Sequence, residues 1–165
     1  MAVGRATRCA VVVLAWLAAG PPAAAAQEQG AFIEGGVHVT ATGVLDGPVG
    51  VVAGPRFAVR TLGSTRVSLS AGVGGRGGEG SARGTFALEY LLAPRAAGRL
   101  GFYVGGGLVG VVGSGKGGYV LTYIGAEQSP GRKGGWALEA GLGAGFFARL
   151  AYHFRRLPRG WRAER

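Results

Sequence analysis

The chain has 165 residues, 35 of them glycine and 7 proline, with 18 Lys and Arg against 8 Asp and Glu for a formal net charge of +10. That length suits one domain, the glycine content is far above ordinary usage, and the charge raises nucleic acid or an anionic membrane as partners without selecting either. The only cysteine, Cys9, falls in the N-terminal segment; a chain trimmed of that segment excludes disulfides, cysteine-based metal sites and a cysteine nucleophile.

Arg5 and Arg8 precede an apolar run from Ala10 to Ala19, followed by Pro21, Pro22 and the alanines 23–26 before Gln27. This is the charged, apolar and small-residue order of a secretory signal peptide, with cleavage expected after Ala26. A membrane-spanning helix needs about 20 apolar residues, roughly twice this run. Cys9 lies ahead of the apolar run, the wrong place for a lipid-modified first residue after cleavage. Export also removes nucleic acid as an expected partner. Residues 1–26 therefore read as a leader, 27–155 as the folded domain and 156–165 as a basic C-terminal tail.

From Gln27 onward, large apolar residues recur at every second position between glycine-rich breaks, the period of a pleated strand. The first segment, 31–40, sets Ile33, Val37 and Val39 against Phe32, Glu34, Gly36, His38 and Thr40. In the second, 49–60, Val51, Ala53, Phe57 and Val59 oppose Gly54, Arg56, Ala58 and Arg60. The third, 65–74, opposes Val67, Leu69, Ala71 and Val73 to Arg66, Ser68, Ser70 and Gly72. In the fourth, 85–92, Phe86, Leu88, Tyr90 and Leu92 alternate with Thr85, Ala87 and Glu89. The fifth, 99–112, sets Leu100, Phe102, Val104 and Leu108 against Arg99, Gly101, Tyr103, Gly105 and Gly107. The sixth, 119–126, is ambiguous, because Val120 and Ile124 compete with Leu121 and Tyr123 for the apolar face. The last two are joined by a tight turn at 143–145: Trp136, Leu138, Ala140 and Leu142 against Ala137, Glu139 and Gly141, then Phe146, Ala148, Leu150, Tyr152 and Phe154 against Phe147, Arg149, Ala151 and His153. A helix does not explain this pair, since at a 3.6-residue period Leu138, Glu139, Leu142 and Phe146 would share one face with the glutamate in it.

In the seven unambiguous segments every charge falls on the parity opposite the large apolar residues. A one-residue slip would swap the faces, so the sheet has two sides of different chemistry. Parity alone does not say which side is outside. In a soluble lipocalin-like barrel the apolar row fills the interior, and in a membrane barrel it faces lipid. Three features favour the membrane. Lysine is absent from all the segments, and glycine fills most polar-side positions, where it leaves room for long Arg, Tyr and Glu side chains inside a narrow barrel. Phe86, Trp136, Phe146 and Phe154 sit near segment ends on the apolar parity, as an interfacial girdle requires. No Arg or Lys lies on the apolar row, where it would cost about 2–4 kcal/mol at a bilayer midplane.

Residues 41–48, 75–84 and 113–118 are expected as glycine-rich loops at one end, 61–64 and 93–98 as compact turns at the other, and 127–134 as the longest turn there. Pro55 cannot donate to a ladder and is expected at a bulge. From the leader, the alternation across about residues 30–155 and the final ARLAYHF strand with Tyr152 and Phe154, the chain resembles the small eight-stranded outer-membrane β-barrel proteins of Gram-negative bacteria. The resemblance implies an all-β, eight-stranded antiparallel up-and-down transmembrane barrel in the cell outer membrane. It further implies outer-membrane lipids as surroundings, recognition of Tyr152 and Phe154 by the barrel-assembly machinery, and a structural, envelope-integrity or loop-mediated binding role through 41–48, 75–84 and 113–118. The alternatives are a soluble exported lipocalin-like carrier of an apolar ligand and a lipid-modifying outer-membrane enzyme.

Several residues invite a functional reading. Residues 113–118 match a G-x-G-x-x-G pattern, but phosphate binding there needs a following helix, and Gly117 replaces the hydroxyl a P-loop requires after its lysine. Glu34, Glu89 and Glu139 are expected to meet Arg56, Arg66 and Arg149 in the lumen as hydrogen-bonded ion pairs, because buried charges must be paired. His38 and His153 share that parity on the first and last strands, and are read as lumenal hydrogen-bonding partners rather than a metal site, which would want a third ligand. No catalytic constellation, cofactor or metal is expected. The arginines of the tail read either as a solvated end or as a contact to inner-leaflet phosphates.

Overall fold

The computed structural model describes residues 31–44, 47–61 and 63–159; the leader and the end of the tail lie outside the described residues. Every regular element among them is a strand: β1 (Ala31–Gly43), β2 (Gly50–Thr61), β3 (Thr65–Arg76), β4 (Glu79–Leu91), β5 (Leu100–Gly113), β6 (Gly117–Gln128), β7 (Gly134–Leu142) and β8 (Phe146–Arg155). Each pairs antiparallel with its neighbour in sequence, and β1 pairs with β8 from Glu34↔Arg155 to Gly43↔Phe146, closing an up-and-down barrel without an edge.

Connections 44–49, 77–78, 114–116 and 143–145 lie at one end, called here the hairpin end. Connections 62–64, 92–99 and 129–133 lie at the other, the entry end, where β1 begins and β8 finishes. The hairpin end is tighter than the sequence suggests. In place of a loop over 75–84, β3 runs to Arg76 and β4 starts at Glu79, with Gly77 and Gly78 at φ 60° and 86° turning the chain between them. Positive φ at both central residues matches the right-handed strand twist, and glycine adopts it without a Cβ penalty. Residues 113–118 likewise reduce to a three-residue turn. Because β4 starts early, Phe86 falls mid-strand rather than near an end. At the entry end the longest connection is 92–99, not 127–134, and Glu127 belongs to β6.

Pro55 does not sit at a bulge. Ala53↔Val73 and Arg56↔Ser70 keep one register across a gap in the β2–β3 ladder, while Val37↔Pro55 holds on the β1 side. The missing N–H removes a rung without inserting a residue. Gly54 permits the close approach: a Cβ there would stand 2.0 Å from the carbonyl oxygen of Ala71.

The two parities resolve into an outer and an inner wall. Leu88, Phe102, Leu138 and Leu150 are among the exposed large apolar residues, whereas the opposite parity is buried. The ambiguous β6 is settled by its neighbour: Leu121 and Tyr123 point in beside Tyr103, and Val120 and Ile124 point out, 76% and 66% exposed. Outward aromatics gather at the entry end, where Trp136 stacks edge-on against Tyr152 at 4.9 Å and Tyr152 against Phe154 at 4.8 Å.

Candidate functional site: the charged lumen

Alternation places Glu34 and His38 of β1, Arg56 of β2, Arg66 of β3, Glu89 of β4, Glu139 of β7, and Arg149 and His153 of β8 inside the barrel, all of them buried. Closure of the sheet, not sequence proximity, brings them together. Arg56 is the hub of the central layer, donating one Nη to Glu89 and the other to Glu139. Glu89 accepts also from Arg66 Nε (2.5 Å), Ser68 Oγ (2.6 Å) and Tyr123 Oη (2.7 Å). Glu139 accepts from Tyr103 Oη (2.7 Å) and Arg149 Nη1 (3.0 Å), while Arg149 Nε donates to Thr40 Oγ1 at 2.9 Å.

A second layer lies toward the entry end. Arg66 Nη1 reaches Glu127 Oε2 at 2.7 Å and Glu34 Oε2 at 3.2 Å, bridging the layers. Arg60 donates to Glu34 at 3.1 Å, and Arg155 donates to Glu127. His153 Nδ1 lies 3.7 Å from Glu34 Oε2, whereas His38, two rungs along the β1–β8 ladder, makes no such contact. Among the described residues no three His, Cys, Asp and Glu side chains converge as metal ligands would. The connections seal this end: Arg60 donates to the backbone oxygens of Pro94 and Pro130, and Ser129 N–H to Arg99 O at 3.0 Å. Arg99 itself is exposed in the 92–99 connection rather than lying on a strand.

Charges removed from water at this depth persist only when paired and hydrogen-bonded. Here the carboxylates collect donors from several strands and the guanidiniums rest on rings, with Arg66 4.7 Å from Tyr103 and Arg149 5.4 Å from Phe147. The arrangement can lock strands together across the lumen.

Glu127, Arg155 and Arg60 belong to the network, and Arg83 to the lumen toward the hairpin end, beyond the charges expected there from sequence. Each continues an inward parity already visible: Arg155 follows Arg149, Ala151 and His153, and Arg83 precedes Thr85, Ala87 and Glu89. Glu127 was hidden by the ambiguity of β6, and Arg83 by a loop that is in fact strand. The G-x-G-x-x-G segment forms the β5–β6 turn and continues into a strand, so no helix terminus faces it. Tyr152 and Phe154 lie on the outer wall at the end of β8, with Phe154 58% exposed. A scan against protein-family models and a search of the curated proteins find no match to this chain.

Proposed function

We propose that this barrel is embedded in a bacterial outer membrane, as a rigid, side-chain-filled wall element with a structural or envelope-integrity role, neither catalyst nor open pore. The observation that carries this reading is its sidedness. The outer wall presents Val, Leu, Ile and Phe side chains, with Val120 76% and Val73 72% exposed, while Glu34, Arg56, Arg60, Arg66, Arg83, Glu89, Glu127, Glu139, Arg149 and Arg155 are buried in the lumen. An apolar outer surface of this extent has no solvent-facing rationale in a monomer, and a closed barrel satisfies its backbone polar groups internally, as lipid demands. The aromatic cluster of Trp136, Tyr152 and Phe154 suits the interfacial belt on the side where β8 ends. We assign Tyr152 and Phe154 as the strand-end feature that the barrel-assembly machinery would read.

A lipocalin-like carrier would need the apolar row inside. The two- and three-residue turns at 77–78, 114–116 and 143–145 leave little surface for loop-mediated binding, and 44–49 is the longest of the four connections. Sodium carbonate extraction of membranes tests the reading: the protein is expected in the pellet, and an unboiled sample is expected to migrate as a compact band on a denaturing gel. Release into the supernatant would reject the membrane assignment. Stable channels in a planar bilayer would reject the filled lumen, and turnover of lipid A or phospholipid by purified protein would restore the enzyme alternative.

A further inference from the structure

Five of the six buried arginines touch a glutamate; Arg83 is the exception among the described residues. Its Nη1 donates to Thr42 Oγ1 at 2.7 Å and its Nη2 to Gly143 O at 3.2 Å, and its guanidinium lies 5.2 Å from the Phe147 ring. The Nε has no hydrogen-bond partner, although the residue is only 6% exposed. A cavity of about 30 Å³ opens beside it at the hairpin end, bordered by Thr42, Arg76, Ser81, Arg83 and Ser114. Arg76 donates its Nε to Pro48 O at 3.1 Å, which holds its guanidinium over the Ser114–Gly115 turn, where a Cβ on Gly115 would lie 2.9 Å from Arg76 Nη1. Among the described residues no carboxylate borders the cavity. Glu79, opposite Arg76 in the register, is exposed and stands outside the lining, and Glu139 is already shared by Arg56 and Arg149.

We propose that this mouth is a binding site for one small inorganic oxyanion of the phosphate type, held between Arg83 Nε and the Arg76 guanidinium, with the Ser81 and Ser114 hydroxyls as further donors. An uncompensated guanidinium at this depth is costly, and an anion supplies the missing charge through charge-assisted hydrogen bonds. The volume excludes a nucleotide or a sugar. The lining sits at the hairpin end, with Arg83 on the lumenal parity, so the site takes a free ion rather than a lipid headgroup lying against the outer wall. The site is independent of where the barrel resides, so its failure would leave the membrane assignment standing.

The test is titration of the folded full-length protein with inorganic phosphate in an uncharged detergent, following the arginine Nε–H resonances by NMR. The Arg83 Nε–H signal is expected to shift saturably, with a dissociation constant on the order of 1 mM. Affinity should fall about tenfold or more in Arg83→Gln and in Arg76→Gln, and stay unchanged in Arg132→Gln at the entry end. A non-saturating shift, equal affinity in Arg76→Gln, or a shift seen only when phosphatidylglycerol replaces free phosphate would overturn the proposal; the first result would mean the cavity holds water alone. Should Arg83→Gln not fold, the wild type and Arg76→Gln, whose side chain lies at the exposed tip, decide the matter.

Discussion

The ring of Tyr123 lies across Gly105, its register partner on β5: a Cβ built on Gly105 would stand 2.3 Å from the ring carbon that carries the hydroxyl. Tyr103 covers Gly125 in the same way, at 2.2 Å, two rungs along the ladder. The two tyrosines meet edge to face at 6.3 Å, and their hydroxyls reach Glu89 and Glu139. Glycine at these positions is the space in which a tyrosine lies flat and delivers its hydroxyl to the network.

Gly105→Val should therefore push Tyr123 off Glu89 and destabilise the barrel by about 1–3 kcal/mol, the usual cost of overpacking. Gly106→Ala, whose Cβ would meet nothing nearer than 3.6 Å, is expected to be nearly neutral. Urea unfolding midpoints of the two variants in one detergent check the contrast. Equal effects would mean that the ring has room to move.

Arg56 joins two carboxylates that have no other common donor among the described residues. Arg56→Met leaves Glu89 and Glu139 facing one another in a buried space and should cost about 3–5 kcal/mol. Adding Glu139→Gln removes one of the opposed charges and should restore part of the loss. A double-mutant cycle by denaturant unfolding reads this coupling, and strict additivity would argue against a shared ion pair.

Leu150 lies midway along β8 on the outer wall and is 48% exposed. In lipid vesicles Leu150→Arg should weaken folding by about 2–4 kcal/mol, the cost of an arginine on a lipid-facing midplane position. A water-facing position would tolerate the same change with little effect. Folding yields across a urea series in vesicles separate these outcomes.

Ala144 turns β7 into β8 with φ 60°, a left-handed conformation that disfavours a Cβ. Ala144→Gly should stabilise the hairpin by up to about 1 kcal/mol, less the extra chain entropy glycine brings to the unfolded state. A raised thermal transition in gel-shift heating curves is the expected readout, and a lowered one would show that the methyl group contributes packing.

What could be read from residues alone was the alternation. Because a pleated strand sends successive side chains to opposite faces, Val67, Leu69 and Val73 had to share a wall, and Arg66 and Ser68 the other, whatever the strand paired with. Eight such segments with glycine-rich breaks also carry the strand count. Three things depended on pairing across the sheet. Only β5 beside β6 decides that Tyr123 points inward, since Leu121 and Val120 are equally apolar. Only the β3–β4 register extends the hairpin to Gly77 and Gly78, because glycine and serine between 74 and 84 carry no alternation of their own. And only closure of β1 on β8 puts Glu34 beside Arg155, residues that are far apart in the chain and a few ångströms apart in the lumen. Local sequence sets the face each residue takes; which charge meets which is a long-range consequence of curling that sheet into a cylinder.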